Sequence, residues 1–265
     1  MLSAHELRTT FNNLAELYDE VRPTYPAELV ADVLVLSGIP AGGRILEIGC
    51  GTGQATLPFA RRGYAMLCLE LGANLARLAR EQVKPFPAVE IQNIAFEDWT
   101  LPARAFDLVI CAEAFHWISP AVRWRKTAAA LKTGASLALF WNDHLGGGAD
   151  FSQAIDQVYR ELAPQLLGMK NKPRDELEND TVAEMAASGL FAPAILKRYP
   201  WRIKYTADQF EKLISTYSPI ASLPVQLRQE LLTRIRAVIE KFGGAIESEY
   251  VSRLYFARVG HCSFS

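Results

Sequence analysis

The chain is short of the residues that make covalent or metal-clipped scaffolds. Only four of its 265 residues are cysteine, and Cys50, Cys68, Cys111 and Cys262 are scattered, with no C-x-x-C pair and no Cys/His cluster. That spacing argues against both a disulfide framework and a metal site. Cys68 and Cys111 stand inside apolar runs, where a reduced thiol acts as a small hydrophobe. Charge of neither sign is in excess: 28 Lys and Arg face 29 Asp and Glu. No broad electrostatic footprint for nucleic acid or an anionic membrane is therefore implied. No apolar run reaches membrane-spanning length, and Met1-Leu2-Ser3-Ala4-His5-Glu6 lacks the basic flank and apolar stretch of a signal peptide. Repeats and low-complexity tracts are also missing. These absences predict a cytoplasmic protein with no nucleic-acid, membrane or metal partner, and they carry no signature of oligomeric state.

What is present is apolar residue in quantity, 50% of the chain, enough for one large domain or one domain with a modest elaboration. Leu7, Phe11, Leu14, Tyr18 and Val21 recur at helical spacing, and a second helix with Leu29, Val30, Val33 and Leu34 on one face stops near Gly38. From Arg44 the texture changes to strands alternating with helices. The strands are Ile45 to Ile48, Ala65 to Glu70, Val89 to Ile94, Phe106 to Cys111 and Ser136 to Trp141; one helix runs to Arg61-Arg62-Gly63 with Pro58 in its first turn, and others span Asn74 to Lys84 and Pro120 to Leu131. That alternation predicts right-handed βαβ units and a parallel sheet.

Beyond Trp141 the pattern is mostly helical. Asp150 with Gln153 reads as a capping box for a helix bearing Phe151, Ile155, Val158, Tyr159 and Leu162, and Thr206 with Gln209 as a second one. Residues 170–180 are polar and read as an exposed loop. A strand is predicted from Ala194 to Tyr205, a longer helix from Pro224 to Gly243, and a final, antiparallel strand from Tyr250 to Arg258. The organisation expected is a single domain over 1–265: N-terminal helices over 1–39, a ligand-binding half over 40–145, helical cap elaborations over 146–190 and 206–245, and late strands over 191–205 and 250–258.

The chemistry concentrates on Glu47-Ile48-Gly49-Cys50-Gly51-Thr52-Gly53. This loop follows the first strand, at the carboxyl edge where open α/β sheets bind ligands. Its glycines allow a tight turn and let a ligand approach without a Cβ in the way. Glu70, with Leu71 after it, ends the second strand, 21 residues beyond Gly49. A carboxylate there can accept hydrogen bonds from both hydroxyls of a ribose. A tight turn with no ligand is the plain alternative, and Glu47, Glu70 and the strand–helix alternation weigh against it. The spacing is G-x-G-x-G rather than the G-x-G-x-x-G of a pyrophosphate loop. Glu47 would repel a pyrophosphate and suits the ammonium of a methionine moiety, directly or through water, which argues against NAD.

On these residues the chain resembles the class I S-adenosylmethionine-dependent methyltransferases, and more narrowly the small-molecule group that includes trans-aconitate methyltransferase. The segments that carry the likeness are Tyr18-Asp19-Glu20-Val21-Arg22-Pro23-Thr24-Tyr25-Pro26, the glycine loop, Phe96-Glu97-Asp98-Trp99, Ala114-Phe115-His116-Trp117, Thr216-Tyr217-Ser218 and the run from Tyr250 to Tyr255. The resemblance implies a Rossmann-like α/β fold: a seven-stranded, mostly parallel sheet, last strand antiparallel, with helices on both faces and a helical cap. It implies S-adenosylmethionine as cofactor and S-adenosylhomocysteine as product. It puts Ala95, Phe96 and Glu97 beside the adenine, Cys111, Ala112 and Glu113 at the methionine end, and Tyr18 and Arg22 closing over the cofactor, Arg22 toward its carboxylate. Many relatives have an acid where Ala95 stands, which leaves the adenine amine to Glu97 or to backbone groups.

Further candidates follow the fourth and fifth strands. His116 is substrate-proximal as a general base or as pocket wall. Trp117 is a packing and pocket residue, with a cation–π contact to the sulfonium as the alternative. Trp141 and Asn142 are expected to touch substrate, or to form a simple turn. Trp99, Trp124 and Trp201 read as packing residues, and Arg123-Trp124-Arg125-Lys126 as a solvated helix face. No catalytic triad appears, and methyl transfer from a sulfonium needs chiefly alignment and exclusion of water. The expected reaction is O-methylation of a small carboxylic acid, already ionised. The rival is C- or O-methylation of a quinone or polyketide-type ring, with His116 or His144 as base. An NAD-dependent oxidoreductase and a non-catalytic cofactor-binding protein are the readings from other classes.

Overall fold

The computed structural model describes residues 11–167 and 174–260; Leu7, residues 170–173 of the expected loop and Cys262 lie outside them. A 3-10 turn (Phe11–Leu14) leads into α1 (Ala15–Val21), followed by α2 (Ala27–Ser37). Then come β1 (Arg44–Ile48), α3 (Thr56–Ala60), β2 (Ala65–Glu70), α4 (Ala73–Val83), β3 (Val89–Asn93), β4 (Phe106–Ala112), a 3-10 turn (Phe115–Trp117), α5 (Pro120–Ala130) and β5 (Leu131–Gly146). The remainder is α6 (Ala149–Leu162), α7 (Pro164–Leu167), α8 (Arg174–Ala187), β6 (Ile195–Thr206), α9 (Ala207–Ser215), α10 (Ser218–Ala221), α11 (Val225–Lys241) and β7 (Ala245–Arg258).

The strands form one seven-stranded sheet in the order β3-β2-β1-β4-β5-β7-β6. β1 pairs in parallel with β2 and β4, and β7 runs antiparallel to both β5 and β6. The order reverses at β1, so the carboxyl edge beside β1 and β4 is the crevice where this class of sheet holds ligands. Strands covered on both faces read as continuous apolar runs, and four of the five β1 residues are buried. β6 lies at the edge, alternates half-buried with exposed positions and tolerates Pro200, as an edge strand can.

Successive strand residues feed opposite faces. Ile45, Leu108, Ile110, Phe140 and Leu254 pack under α2 and Phe59 on one side; Leu46, Val109, Leu137, Leu139 and Tyr255 pack with Phe96, Trp99 and Trp124 on the other. Each such fully buried side chain contributes about 1.5–3 kcal/mol. A third cluster joins α6, α9 and α11 through Phe151, Ile155, Phe210, Leu213, Leu231 and Ile235, and it reaches Val21 and Tyr250.

Four local expectations change. Asp150 does not cap α6: the helix starts at Ala149 after Gly148, which places Asp150 inside its first turn. Arg174–Ala187 is a helix, so most of the loop expected over 170–180 is helical where it is described. β5 extends to Gly146 rather than ending at Trp141, because β7 pairs with it as far as His144 and Gly146. The basic tetrad on α5 is no solvated face: Arg123 and Trp124 are buried, Arg123 pairs with Glu184, and Lys126 donates to the carbonyls of Glu97 (2.8 Å) and Trp99 (2.6 Å). The cap of α9 is as expected, with Thr206 and Gln209 forming reciprocal bonds. Trp99 is buried core, and Trp201 donates to Ser252 Oγ at 2.8 Å. No helix among the described residues is long and apolar enough to cross a membrane.

Candidate active site

The glycine loop is a backbone construction tied to the end of β2. The N–H groups of Gly49 and Cys50 both donate to Leu69 O, at 2.8 and 3.1 Å. Gly51 N–H donates to Glu70 Oε2 (2.9 Å), while Glu70 Oε1 accepts from Gly72 N–H (2.8 Å). Gly49 and Gly51 have φ of 71° and 59°, the left-handed region that suits glycine. A Cβ on Gly49 would stand 2.5 Å from Ala114 Cβ, so the turn also packs against the segment after β4.

Above this loop lies a cavity of about 320 Å³, within the range of small-ligand sites. Its floor is Gly49, Gly51, Glu70 and Leu71; one flank is Ala95 and Phe96, another Ala112, Glu113, His116 and Trp117; its roof is Tyr18, Arg22, Tyr217 and Ser218. A smaller polar chamber of about 50 Å³ shares Tyr18, Arg22, Glu113 and Tyr217 and adds Tyr25, Cys50, Asn142 and Tyr250. Arg22 organises the roof. Its Nε donates to Thr216 Oγ1 at 2.9 Å, and its guanidinium sits 4.9 Å from the Tyr18 ring and 4.8 Å from the Tyr217 ring. Burial raises the pKa of Tyr18 and Tyr217 and outweighs the lowering by Arg22, so both phenols stay protonated donors.

Two acids are shifted strongly. Glu113 has a left-handed backbone, φ 59°, and its Oε1 accepts the Asn142 N–H at 2.5 Å. Burial pushes its pKa up to about 7 against the lowering by that hydrogen bond and Arg22. Glu47 is wholly buried behind the loop. Its Oε2 accepts from Thr56 (2.6 Å) and Cys68 (3.5 Å), its Oε1 has no partner among the described residues, and burial raises it to about 7.

At the mouth, Trp141 Nε1 donates to His116 Nδ1 at 3.3 Å. Desolvation, then the charge of Arg123, pushes the His116 pKa down; its solvent-exposed edge limits that desolvation. Trp141 is braced edge-on by Tyr255, centroids 5.4 Å apart.

The structure thus gathers Tyr18, Arg22, Gly49, Gly51, Glu70, Leu71, Ala95, Phe96, Ala112, Glu113, His116 and Trp117 around one cavity. Other expected ligand contacts do not line it. Glu47 faces Thr56 and Cys68 instead of the cavity, because the β1 pleat turns its side chain into the layer behind the loop. Thr52 and Cys111 are buried, and Gly53 lines neither space; Cys50 and Asn142 line only the smaller chamber. Glu97 points to the start of α5, at 3.4 Å from Ser119 N–H. Trp141 lines neither space and meets His116 instead, and His144, also outside both linings, stacks on Tyr250 with centroids 4.8 Å apart. Tyr217 and Tyr250 carry no role in the sequence reading; their only signal there is membership of two segments that resemble the family.

Comparison with known proteins agrees with this geometry. A sequence profile described as a methyltransferase domain matches residues 45–134, the span from β1 through the glycine loop and His116. An uncharacterized methyltransferase of Mycobacterium tuberculosis is 25% identical over 238 residues, 89% of this chain and 88% of its own. A Saccharomyces cerevisiae protein described as a probable S-adenosylmethionine-dependent methyltransferase is 26% identical over 233 residues, 76% of this chain and 77% of its own. The chain is an S-adenosylmethionine-dependent methyltransferase. The fold of the methyltransferase is similar to that of a protein of Anaeromyxobacter dehalogenans assigned to type II methyltransferases, with a TM-score of 0.63 at 22% identity, covering 89% of this chain and 97% of that one. The residues present fit the cofactor: the Cβ-free surface at Gly51 opens onto the cavity, and the Glu70 carboxylate, an acceptor for hydroxyl donors, lines it. No group of three or more His, Cys, Asp or Glu side chains among the described residues gathers as a metal site would require.

Proposed function

We propose that the methyltransferase O-methylates a small carboxylic acid, with the whole chain acting as one catalytic unit. Bound S-adenosylmethionine would be held by the glycine loop, with Glu70 at its ribose, Ala95 and Phe96 at its adenine, and Arg22, between Tyr18 and Tyr217, at its carboxylate. When bound, S-adenosylmethionine supplies a methyl group on an already activated sulfur. The protein then has to align acceptor and methyl and keep water out. The acceptor takes the side of the cavity bearing His116 and Trp117.

The hydrogen bond from Trp141 to His116 Nδ1 carries this reading. The indole N–H can only donate, so Nδ1 must offer its lone pair and the neutral ring carries its proton on Nε2. His116 then has no lone pair left for a substrate proton, and His144 stands outside the cavity. An ionised carboxylate needs no base, so it suits this wall better than a neutral alcohol does. A second reading has a specific observation of its own. Glu113, with its pKa near 7 and its place in the lining, is tuned as a general base for a phenolic or enolic ring acceptor.

Methyl-labelled cofactor offered with aliphatic mono-, di- and tricarboxylic acids, benzoate, catechol and hydroquinone separates the two. Labelled product that releases methanol in alkali is an ester and supports the acid reading. Alkali-stable product from the phenols alone overturns it in favour of Glu113.

A further inference from the structure

We infer that His116 anchors the acceptor: Trp141 locks its imidazole with the proton on Nε2, and Nε2 donates a hydrogen bond to an oxygen of the acceptor's carboxylate. The inference rests on the acid reading above and adds to it a binding residue and a positioning residue.

The geometry supplies each part. His116 lines the large cavity, and its Nδ1 is satisfied by the Trp141 indole. Nε2 has no hydrogen-bond partner among the described residues. The ring is boxed by Trp117 and Trp141, centroids 4.7 and 6.4 Å away, so it cannot turn freely to exchange its nitrogens. Trp141 is itself held against Tyr255. Desolvation, and then the positive charge of Arg123, oppose protonation of the ring, so the group that meets the acceptor is a neutral donor rather than an imidazolium.

That choice has a chemical consequence. A hydrogen bond to an ionised oxygen is stronger than one to a neutral oxygen. A neutral donor therefore holds the acid firmly without forming an ion pair. Once methyl transfer has neutralised the carboxylate, the same donor grips the ester weakly. His116 thus favours acid over ester, which promotes release of product.

The test uses the whole protein and the acid of highest ester yield from the panel above, with S-adenosylhomocysteine bound for the spectra and S-adenosylmethionine supplied for the kinetics. In ¹⁵N spectra of labelled histidine at pH 7, wild type is expected to show the His116 ring with its proton on Nε2 alone, and Trp141→Phe a mixture of tautomers. His116→Phe, which keeps the ring and loses the donor, should raise KM for the acid about tenfold with kcat little changed. His116→Gln, whose amide nitrogen can take the place of Nε2, should recover most of that loss. S-adenosylhomocysteine affinity should stay at the wild-type level in all three. A wild-type ring protonated on Nδ1, or an unchanged KM in His116→Phe, overturns the anchor and leaves the acid reading standing. Failure of every acid in the panel to yield an ester overturns both.

Discussion

The floor and the roof of the cavity are built by opposite means. The floor is backbone: Gly49, Cys50 and Gly51 hang from Leu69 O and the Glu70 carboxylate, across separations of about twenty residues. The roof is side chain, and its tie is remote in the chain: Arg22 bonds Thr216, 194 residues away. A floor of this kind is a rigid property of strand ends and glycine dihedrals, whereas a roof of rings and guanidinium depends on packing among α1, α9 and the joint before α10. On the function proposed above, the greater part of the cofactor grip falls to the floor and adaptability to the roof. Variants that strike one without the other test it.

The largest effect is expected at Gly49. Alanine there puts a methyl 2.5 Å from Ala114 Cβ and forces a left-handed residue without glycine's freedom, a strain of about 1–2 kcal/mol before the clash is counted. Gly49→Ala should weaken S-adenosylhomocysteine binding by roughly a hundredfold by calorimetry, the strain and clash together exceeding about 2.7 kcal/mol. Adding Ala114→Gly relieves the clash and leaves the dihedral strain, so the double variant should recover only part of the loss. Full recovery would show that the backbone conformation costs nothing and that the floor is steric alone.

Behind the floor, Glu47 gives the next effect, read in stability and without ligand. Its folded pKa of about 7 lies above its ordinary value of 4.5 because burial disfavours the charge. The folded state therefore holds a proton that the unfolded chain releases, and stability falls as pH rises from about 4.5 to about 7. Glu113, also raised to about 7, adds to the same window. Glu47→Gln cannot ionise, so its melting temperature relative to wild type should rise by several degrees between pH 5 and pH 8. A difference that stays flat with pH would mean that Glu47 ionises in the folded protein as readily as in the unfolded chain, so that burial does not hold a proton on it.

The same contrast explains what could be read from the sequence. The strands β1, β2 and β4 and the glycine loop declare themselves because backbone geometry leaves local marks: an apolar run, three glycines, an acid at a strand end. Glu70 and Gly51 are found for that reason. The orientation of Glu47 was not legible, since a strand pleat sends alternate side chains to opposite sides and only the register with Cys68 and the turn of Thr56 decide which. Tyr217 and Tyr250 escape for another reason. Nothing local says that Arg22, at the end of α1, will come to lie against Tyr217. The tetrad from Arg123 to Lys126 misleads in the same way, because Glu184 and the carbonyls that neutralise it come from other elements.

The roof yields the third prediction. Arg22→Lys keeps a cation but loses the planar fork that stacks between Tyr18 and Tyr217 while bonding Thr216. S-adenosylhomocysteine affinity should drop about tenfold, the loss of one charge-assisted hydrogen bond, with little change in melting temperature. A drop as large as that of Gly49→Ala would erase the distinction between the two surfaces.

The smallest effect is expected at Thr206, and it is informative because of where it falls. Thr206 caps α9, accepting the Gln209 N–H at 3.3 Å while Gln209 Oε1 accepts the Thr206 N–H at 3.0 Å. Thr206→Ala removes one arm of that box and should cost about 1 kcal/mol, a fall of roughly 2–4 °C in melting temperature for a chain of this size. α9 carries Lys212, which pairs with Glu20 on α1, and it ends one residue before Thr216. If the roof adapts as a packed unit, this loss spreads into its packing and leaves cofactor affinity within twofold of wild type. A tenfold loss of affinity from a cap at the far end of α9 would instead mean that the helix positions Thr216 rigidly, and that the roof is as fixed as the floor.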